Sequence, residues 1–395
     1  GVLPLVLILW AAAGLKHWCF LAVPAAMGAL DRQQVLILGG GLMGLAIAHQ
    51  LARRDAAVTV LSRRRSEAAG FVAAGMLAPH AEGLRGALLA LGQASLERIP
   101  AWVEQIEADS GLSCGLRACG IVVPFATATE RNAYPTAAWG EPLGRAELER
   151  EVPGIGPGWQ AGLLFAQDGQ IDNRRRLMRA LERACVSRGV CFQEGSEVLA
   201  LERDGLGALA GVRLLTVEGE EQVLPARQAV LACGAWSARL LPRLPVFPVK
   251  GQMLSLQGPR QALERVIFGP GTYLVGREDG LLVVGATSEA EAGFREGLTP
   301  AGQRQLEAGI AALLPAACRW PPMERWWGFR PCTPDEGPLL GEGPIPGLWL
   351  ATGHHRNGVL LAAITAELLA GALAGPAEQA AETWLEAFSW TRFEA

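Results

Sequence analysis

Val35-Leu36-Ile37-Leu38-Gly39-Gly40-Gly41-Leu42-Met43-Gly44 decides the reading of this chain. The four aliphatic residues form a continuous apolar run, as in a strand buried on both faces of a parallel sheet. Gly39, Gly41 and Gly44 then satisfy G-x-G-x-x-G, and Leu42 to Arg54 has helical character. Val58-Thr59-Val60-Leu61 follows as a second β-rich run, so strand, glycine turn, helix and strand fit one βαβ unit. In that context Gly39 permits the tight turn, Gly41 removes a side chain that would block a pyrophosphate, and Gly44 lets the helix pack closely on the sheet. Leu42 and Met43 open the helix, whose unpaired N–H groups and positive dipole end face the phosphates. The stretch predicts a dinucleotide site.

An acidic residue ordinarily ends the second strand and accepts hydrogen bonds from the ribose hydroxyls. Here Ser62 stands in that place, followed by Arg63-Arg64-Arg65. Two readings stay open on these residues. Ser62 with Arg63 suits the 2′-phosphate of NADP. Alternatively the Ser62 hydroxyl and backbone hold an FAD ribose, with the arginines near phosphates or in solvent.

Working outward, Leu88 to Asp109, Arg174 to Arg188 and Pro300 to Leu314 read as helices. Val190 to Phe192, Val198 to Leu201, Ala229 to Ala232, Val246 to Leu256 and Leu281 to Gly285 read as strands, and Val212 to Val217 with Gln222 to Leu224 as a hairpin. Leu348 to Ala351 and Gly358 to Ala374 close the chain as a second strand–glycine–helix unit. The pattern predicts an α/β fold: a Rossmann-like nucleotide-binding domain, discontinuous in sequence, with an antiparallel-sheet α+β domain inserted into it. The expected division is an apolar N-terminal extension at 1–30, the nucleotide-binding domain at 31–80, 160–238 and 329–374, the second domain at 81–159 and 239–328, and a C-terminal tail at 375–395.

Half of the 395 residues are hydrophobic, 19% are charged, and the formal net charge is -4. Such a chain can bury a large core and gives no electrostatic case for nucleic-acid binding. None of the eight cysteines forms a CxxC pair, and most sit in apolar runs, as expected of reduced, buried thiols in a cytoplasmic protein. With five histidines and no HExxH-like cluster, no metal site is expected. Val2 to Leu15 is apolar and uncharged, Lys16-His17 interrupts it, and Trp18 to Leu30 resumes it. The first run is short of the roughly 20 residues of a membrane span, and no positive residue precedes it as in a secretory signal. We expect Met27 to be the native start; the alternative is a membrane anchor.

Further segments carry a resemblance. Ala73-Ala74-Gly75-Met76-Leu77-Ala78-Pro79, Ala232-Cys233-Gly234-Ala235-Trp236-Ser237, Pro248-Val249-Lys250-Gly251-Gln252, Gly328-Phe329-Arg330-Pro331-Cys332-Thr333-Pro334-Asp335 and Ala351-Thr352-Gly353-His354-His355-Arg356-Asn357-Gly358-Val359-Leu360-Leu361 occur in this order. With the glycine turn they resemble the FAD-dependent D-amino-acid oxidase family, and within it the glycine oxidases of the thiamine pathway, over residues 33 to about 373. The resemblance implies FAD as cofactor. It implies FAD contacts from Gly39, Gly41, Leu42, Met43, Gly44, Ser62, Arg63, Ala74, Gly75, Met76, Val198, Gly234 and Trp236, and from His355, Arg356, Asn357, Gly358 and Val359 before the last helix. It also implies a substrate carboxylate bound bidentately by Arg330 and hydrogen-bonded by Tyr273, with Arg356 nearby. Ser288 occupies a position where some relatives carry methionine, which bears on the shape of the pocket.

The implied reaction is oxidative deamination of glycine, or of a similar small amine, to an imine or glyoxylate, ammonia and hydrogen peroxide, feeding thiazole synthesis. No catalytic base stands out in the motifs, so orientation and electrostatics carry the protein's part. Expected partners are the amino acid and oxygen, with a thiazole synthase and a second copy of the chain as further candidates. Three rival readings are a sarcosine or D-amino-acid oxidase, a quinone-linked dehydrogenase anchored through residues 1 to 26, and an NADP-binding reductase or sensor.

Overall fold

A computed structural model describes residues 34–374 and 379–394. The expectations for residues 1–30, including the Met27 start and the anchor, lie outside them. β1 (Gln34–Leu38), α1 (Leu42–Ala52) and β2 (Ala57–Ser62) form the βαβ unit read from the sequence. β1 pairs in parallel with β2 on one side and with Ala229–Leu231 on the other. The burial explains the unbroken apolar run. Val35 and Ile37 enter one core cluster, Leu36 and Leu38 another, so alternate side chains are buried on opposite faces.

With Cys191–Glu194 as β3, Ala229–Leu231 as β4, Leu339–Glu342 as β5 and Leu348–Thr352 as β6, the six-stranded sheet runs β5-β6-β4-β1-β2-β3. All its pairs are parallel except β5 with β6. Against one face pack α1, α2 (Gly86–Ser110), α3 (Met178–Ser187) and α4 (Gly358–Ala374). Against the other packs a three-stranded antiparallel sheet, Glu197–Arg203, Leu209–Leu215 and Glu221–Pro225, whose last two strands are the expected hairpin. α4 and the turn before it are long and apolar enough to span a bilayer, but most of that segment is buried in this core. The segment expected to be a helix from Arg174 opens instead with a π-helical turn, Asn173–Leu177, and Asp172 caps it by accepting from the Arg175 amide.

A second sheet has eight strands, in the order Pro322–Cys332, Phe247–Gln257, Leu281–Gly285, Tyr273–Gly276, Val266–Phe268, Ile121–Phe125, Ala161–Phe165 and Glu141–Leu143. It is antiparallel apart from the pair Val266–Phe268 with Ile121–Phe125. Helix Pro300–Leu313 covers its far face through Leu306, Ile310 and Leu313. Two strands fall across the boundaries expected from the sequence. Ala161–Phe165 pairs within this sheet, and Pro322–Cys332 remains paired with Phe247–Gln257 as far as Cys332. The C-terminal segment is docked: Phe388 and Trp390 are buried, the Leu340 amide donates to the Phe388 carbonyl, and Arg392 pairs with Asp335 at 2.7 Å.

One carboxylate ties three helices together. Asp109, near the end of α2, receives His49 (2.8 Å) from α1, Arg53 (2.9 Å) from its C-cap and Arg188 (2.6 Å) from just beyond α3. Burial alone would raise its pKa; the hydrogen bonds from Arg188, His49 and Arg53 outweigh that and hold it well below the usual carboxylate range. Asp109→Ala should lower unfolding stability in urea by about 2–3 kcal/mol at neutral pH, because it strands the cationic partners of a largely buried charge. A depressed folded-state pKa stabilises above the unfolded value and loses that contribution as acid is added. The wild type–variant difference should therefore be full above about pH 4 and shrink below it.

Candidate active site

A cavity of about 770 Å³ opens at the C-terminal ends of β1, β2 and β4, and the eight-stranded sheet supplies part of its wall. Ligands of open α/β sheets bind at such strand ends. The wall takes in Gly39, Gly41, Leu42, Met43, Ser62, Arg63, Ala74, Gly75, Met76, Val198, Gly234, Trp236, His355, Arg356, Gly358 and Val359. Tyr273 and Arg330 line the same cavity. Gly44 and Asn357 are not part of this wall.

The three turn glycines differ in what they do. Gly39 has φ +109, and a Cβ there would lie 2.3 Å from the Ala232 carbonyl oxygen. A Cβ on Gly44 would lie 1.9 Å from the Gly39 carbonyl oxygen, so Gly44 is needed for the turn to close against α1. Gly41 has ordinary extended backbone (φ -79), and among the described residues a Cβ on it would meet only Ala68, at 3.3 Å. Its missing side chain leaves room in the cavity itself. Among the described residues no side chain caps α1, which leaves the first-turn N–H groups for a ligand.

Ser62 is buried beside this turn. The three arginines after it are engaged by carboxylates: Arg63 with Glu67 (2.9 Å) and Glu197 (3.3 Å), Arg64 with Glu67 (2.8 Å), Arg65 with Glu182 (3.0 Å) and Glu194 (2.5 Å). The Arg63 guanidinium lies 5.9 Å from the Trp236 ring centre. A 2′-phosphate needs an uncommitted cation, and each of these already has an anion.

The loop carrying Ala74, Gly75 and Met76 is clamped from behind. Gly75 has φ +80, and a Cβ there would strike the Ile171 carbonyl oxygen at 2.0 Å. Asn173 Nδ2 donates to the Gly70 and Ala73 carbonyls at 2.7 Å each, and Arg277 Nη2 to that of Ala74 at 2.8 Å. Burial pushes Arg277 down to about 10, which leaves it a cation at neutral pH. Neither Asn173 nor Arg277 stood out in the sequence, because each acts on a loop a hundred or more residues away in the chain.

Arg330 comes from the long strand Pro322–Cys332 and Tyr273 from Tyr273–Gly276. Two glycines make room for them. A Cβ on Gly251 would lie 2.7 Å from both terminal nitrogens of Arg330, and one on Gly285 would lie 2.4 Å from the Tyr273 hydroxyl oxygen. Arg330 Nη1 donates to the Thr287 carbonyl at 3.1 Å. Among the described residues no carboxylate lies within ion-pair distance of Arg330. Burial pushes the Tyr273 hydroxyl up, with the Arg330 charge opposing. Ser288 is on the same wall.

Arg356 is not free in the same way, since its Nε lies 3.0 Å from Glu82 Oε2. The Glu82 side chain is only 5% exposed, lines the cavity, and is pushed up to about 7 by burial against the opposing charges of Arg356 and Arg330. Glu82 was missed in the sequence. Its one signal was its place three residues after the Ala73–Pro79 loop. Asp168 fixes that place by bonding His80 Nδ1 at 2.6 Å and the Ala81 amide at 2.8 Å. Before α4, His355 takes φ +51. His354 is buried, with its Nε2 3.0 Å from the Thr365 hydroxyl. Burial pushes His354 down to about 3 and His355 to about 4, leaving both neutral near pH 7.

The family of FAD dependent oxidoreductases matches residues 34–372. The chain belongs to this family. It is 45% identical over 367 residues to the bifunctional protein ThiO/ThiG of Synechocystis sp., covering 91% of this chain and 54% of that protein. The chain thus spans about half the length of these relatives. It is 32% identical to the glycine oxidase of Pseudomonas aeruginosa, covering 87% of this chain and 95% of that one. The crystal structure of glycine oxidase from Geobacillus kaustophilus superposes with a TM-score of 0.81 at 30% identity, covering 91% and 99% of the two chains. FAD is therefore the cofactor, and the NADP reading falls. The residues fit it: a turn that only glycines close, an uncapped helix start and a clamped Gly75 loop converge on one cavity.

Gly41→Val should weaken FAD binding at least about 100-fold, by fluorescence titration of the apoprotein, while moving its melting temperature by less than about 3 °C. The new side chain enters the cradle and not the core, and its φ suits any residue.

Proposed function

We propose that this chain catalyses the oxidative deamination of glycine: glycine, oxygen and water give glyoxylate, ammonia and hydrogen peroxide. The observation that carries the reading is the Arg330 guanidinium, without a carboxylate partner among the described residues, beside the Tyr273 hydroxyl in the cavity that holds the dinucleotide cradle. A small amino acid offers its carboxylate as a handle, and guanidinium is the side chain that binds it bidentately. Bound FAD supplies a two-electron acceptor that oxygen regenerates as peroxide.

The protein's own part is binding and exclusion of water. Gly39, Gly41 and the start of α1 would hold the pyrophosphate, and Ser62 with the wall at Glu67, Glu197 and Val198 the adenosine side. Ala74 to Met76 and His355, Arg356, Gly358 and Val359 would face the ring. Arg330 and Tyr273 would fix the substrate carboxylate and so aim its Cα–H. The two large sheets suggest a division into an FAD-binding and a substrate domain. The relatives named as bifunctional ThiO/ThiG proteins support a coupled second activity, which the thiamine-pathway resemblance makes thiazole synthesis. A cytoplasmic place fits the unbridged cysteines Cys114, Cys119, Cys185, Cys233, Cys318 and Cys332 among the described residues.

A peroxide assay across glycine, sarcosine and several D-amino acids tests the substrate, with glycine expected to give the highest kcat/KM. Arg330→Ala should raise KM for glycine about 100-fold, the loss expected for one partner of a buried charge pair, and leave the flavin content unchanged. Unaltered kinetics in that variant would remove Arg330 from the carboxylate site.

A further inference from the structure

We propose that Glu82 is the subsite for the substrate's ammonium group and the acceptor of the proton that group must lose. The inference rests on the amino-acid oxidase reading above and deepens it. It starts from an unmet bonding need. Glu82 Oε2 is buried and accepts no hydrogen bond from any described residue. Arg356 Nε stands 3.0 Å away as an ion pair, but its N–H is not directed at that oxygen. A buried carboxylate ordinarily gathers two or more donors. One that lines a ligand cavity without them awaits donors from the ligand.

The charges on the wall fit a zwitterion. Arg330 and Tyr273 offer donors to a carboxylate, and Glu82 offers an acceptor to an ammonium. The groups that act on Glu82 come from every side: Arg356 from the turn before α4, Arg330 from the strand Pro322–Cys332, Glu336 from the turn after it, and Asp168 from the loop behind. Tyr134 and Tyr273 also feel its charge, and the nearby His355 is neutral. Asp168 pins the loop through His80 and Ala81, so the carboxylate is held in place before substrate arrives.

The chemistry requires such a group. An ammonium nitrogen has no lone pair, so the amine must be neutral before its Cα–H can be oxidised. On transfer an N–H bond breaks, an O–H bond forms on Glu82, and the electron pair stays on nitrogen. Burial sets Glu82 near 7, so it is substantially ionised at neutral pH yet able to keep a proton. A free carboxylate with an ordinary pKa would be a far weaker base.

Glu82→Gln keeps the shape and removes the charge. With holoenzyme and saturating glycine in the absence of oxygen, wild-type flavin reduction should rise with pH through one ionisation between about pH 5.5 and 7. The variant should lose that limb and react about 100-fold more slowly at neutral pH. Glycolate, which has the carboxylate but no ammonium, gives a readout independent of turnover through the flavin absorbance. Its binding to wild type should weaken as pH rises through the same ionisation. In the variant it should be at least as tight and flat with pH. A variant with wild-type rate and pH limb overturns the proposal. So does one that loses glycolate as severely as glycine, which would make Glu82 a support for the pocket only. Should the variant not fold, wild type alone decides, because no ionisation between about pH 5.5 and 8.5 in either measurement overturns it. Wild type that is reduced by no amine at any pH fails differently, and sinks the oxidase reading with the proposal.

Discussion

The approach of α1 to the turn before it is the constraint on which the rest of the structure depends. With Gly44 hard against the Gly39 carbonyl, no side chain larger than hydrogen fits between them. That contact fixes the angle at which α1 leaves β1 and aims its uncapped N-terminus into the cavity. The same carbonyl end of the sheet receives the Ala232–Trp236 segment after β4 and the turn before α4. Three strand ends from distant parts of the chain are thus set around one point by a backbone contact a few residues long. The hydrophobic layers then hold what the contact has placed. Val35 and Ile37 are gripped by helices on one side, Leu36 and Leu38 by the small sheet on the other. β1 has no freedom to shift register without exposing four aliphatic side chains.

Around that frame, buried polar groups give the cavity its shape. Arg277, Asn173 and Asp168 each reach a loop remote in sequence and satisfy its otherwise unpaired backbone groups. A loop facing a ligand cannot use sheet pairing on that side, so its carbonyls and amides must be met from behind. The cost of burying Arg277 is offset by the carbonyls of Ala74 and Ile171 and the side chain of Gln170, with Asp172 nearby at 3.8 Å. The result is a rigid wall, in keeping with a site whose work is orientation.

What the sequence revealed followed the range of the interaction. The strand–turn–helix unit was legible because its causes are local: alternate burial, glycine at fixed spacing, a helix start. Arg330 and Tyr273 were legible through family segments, and both line the cavity where the dinucleotide turn opens. The arginines after Ser62 were ambiguous in sequence. Their meaning depends on Glu182, Glu194 and Glu197, more than a hundred residues away and brought beside them by α3, β3 and the strand after it. Glu82 was illegible for a related reason. A glutamate on a loop ordinarily faces water, and only the fold brings this one to a buried place on the cavity wall, beside Arg356. The boundaries of the two sheets were also blurred, since Pro322–Cys332 runs as one strand past the point where the motif suggested a change of domain.

The placement of charge in the cavity separates two kinds of arginine. Arg63, Arg64 and Arg65 are matched by carboxylates before any ligand arrives. A dinucleotide entering there meets a wall with little surplus positive charge and must be held mainly by backbone N–H groups. Arg330 has no such match among the described residues, and the glycines at 251 and 285 leave the space that its guanidinium and the Tyr273 ring occupy. Arg356 stands between these cases, half neutralised by Glu82. A second anion in the substrate would have to displace Glu82 from Arg356 at the cost of a buried, unpaired carboxylate. A single carboxylate with a neighbouring amine meets no such penalty. On the proposed function, the pairing of Glu82 with Arg356 would favour small monocarboxylic amines over dicarboxylic ones, by charge and without any change in the volume of the cavity.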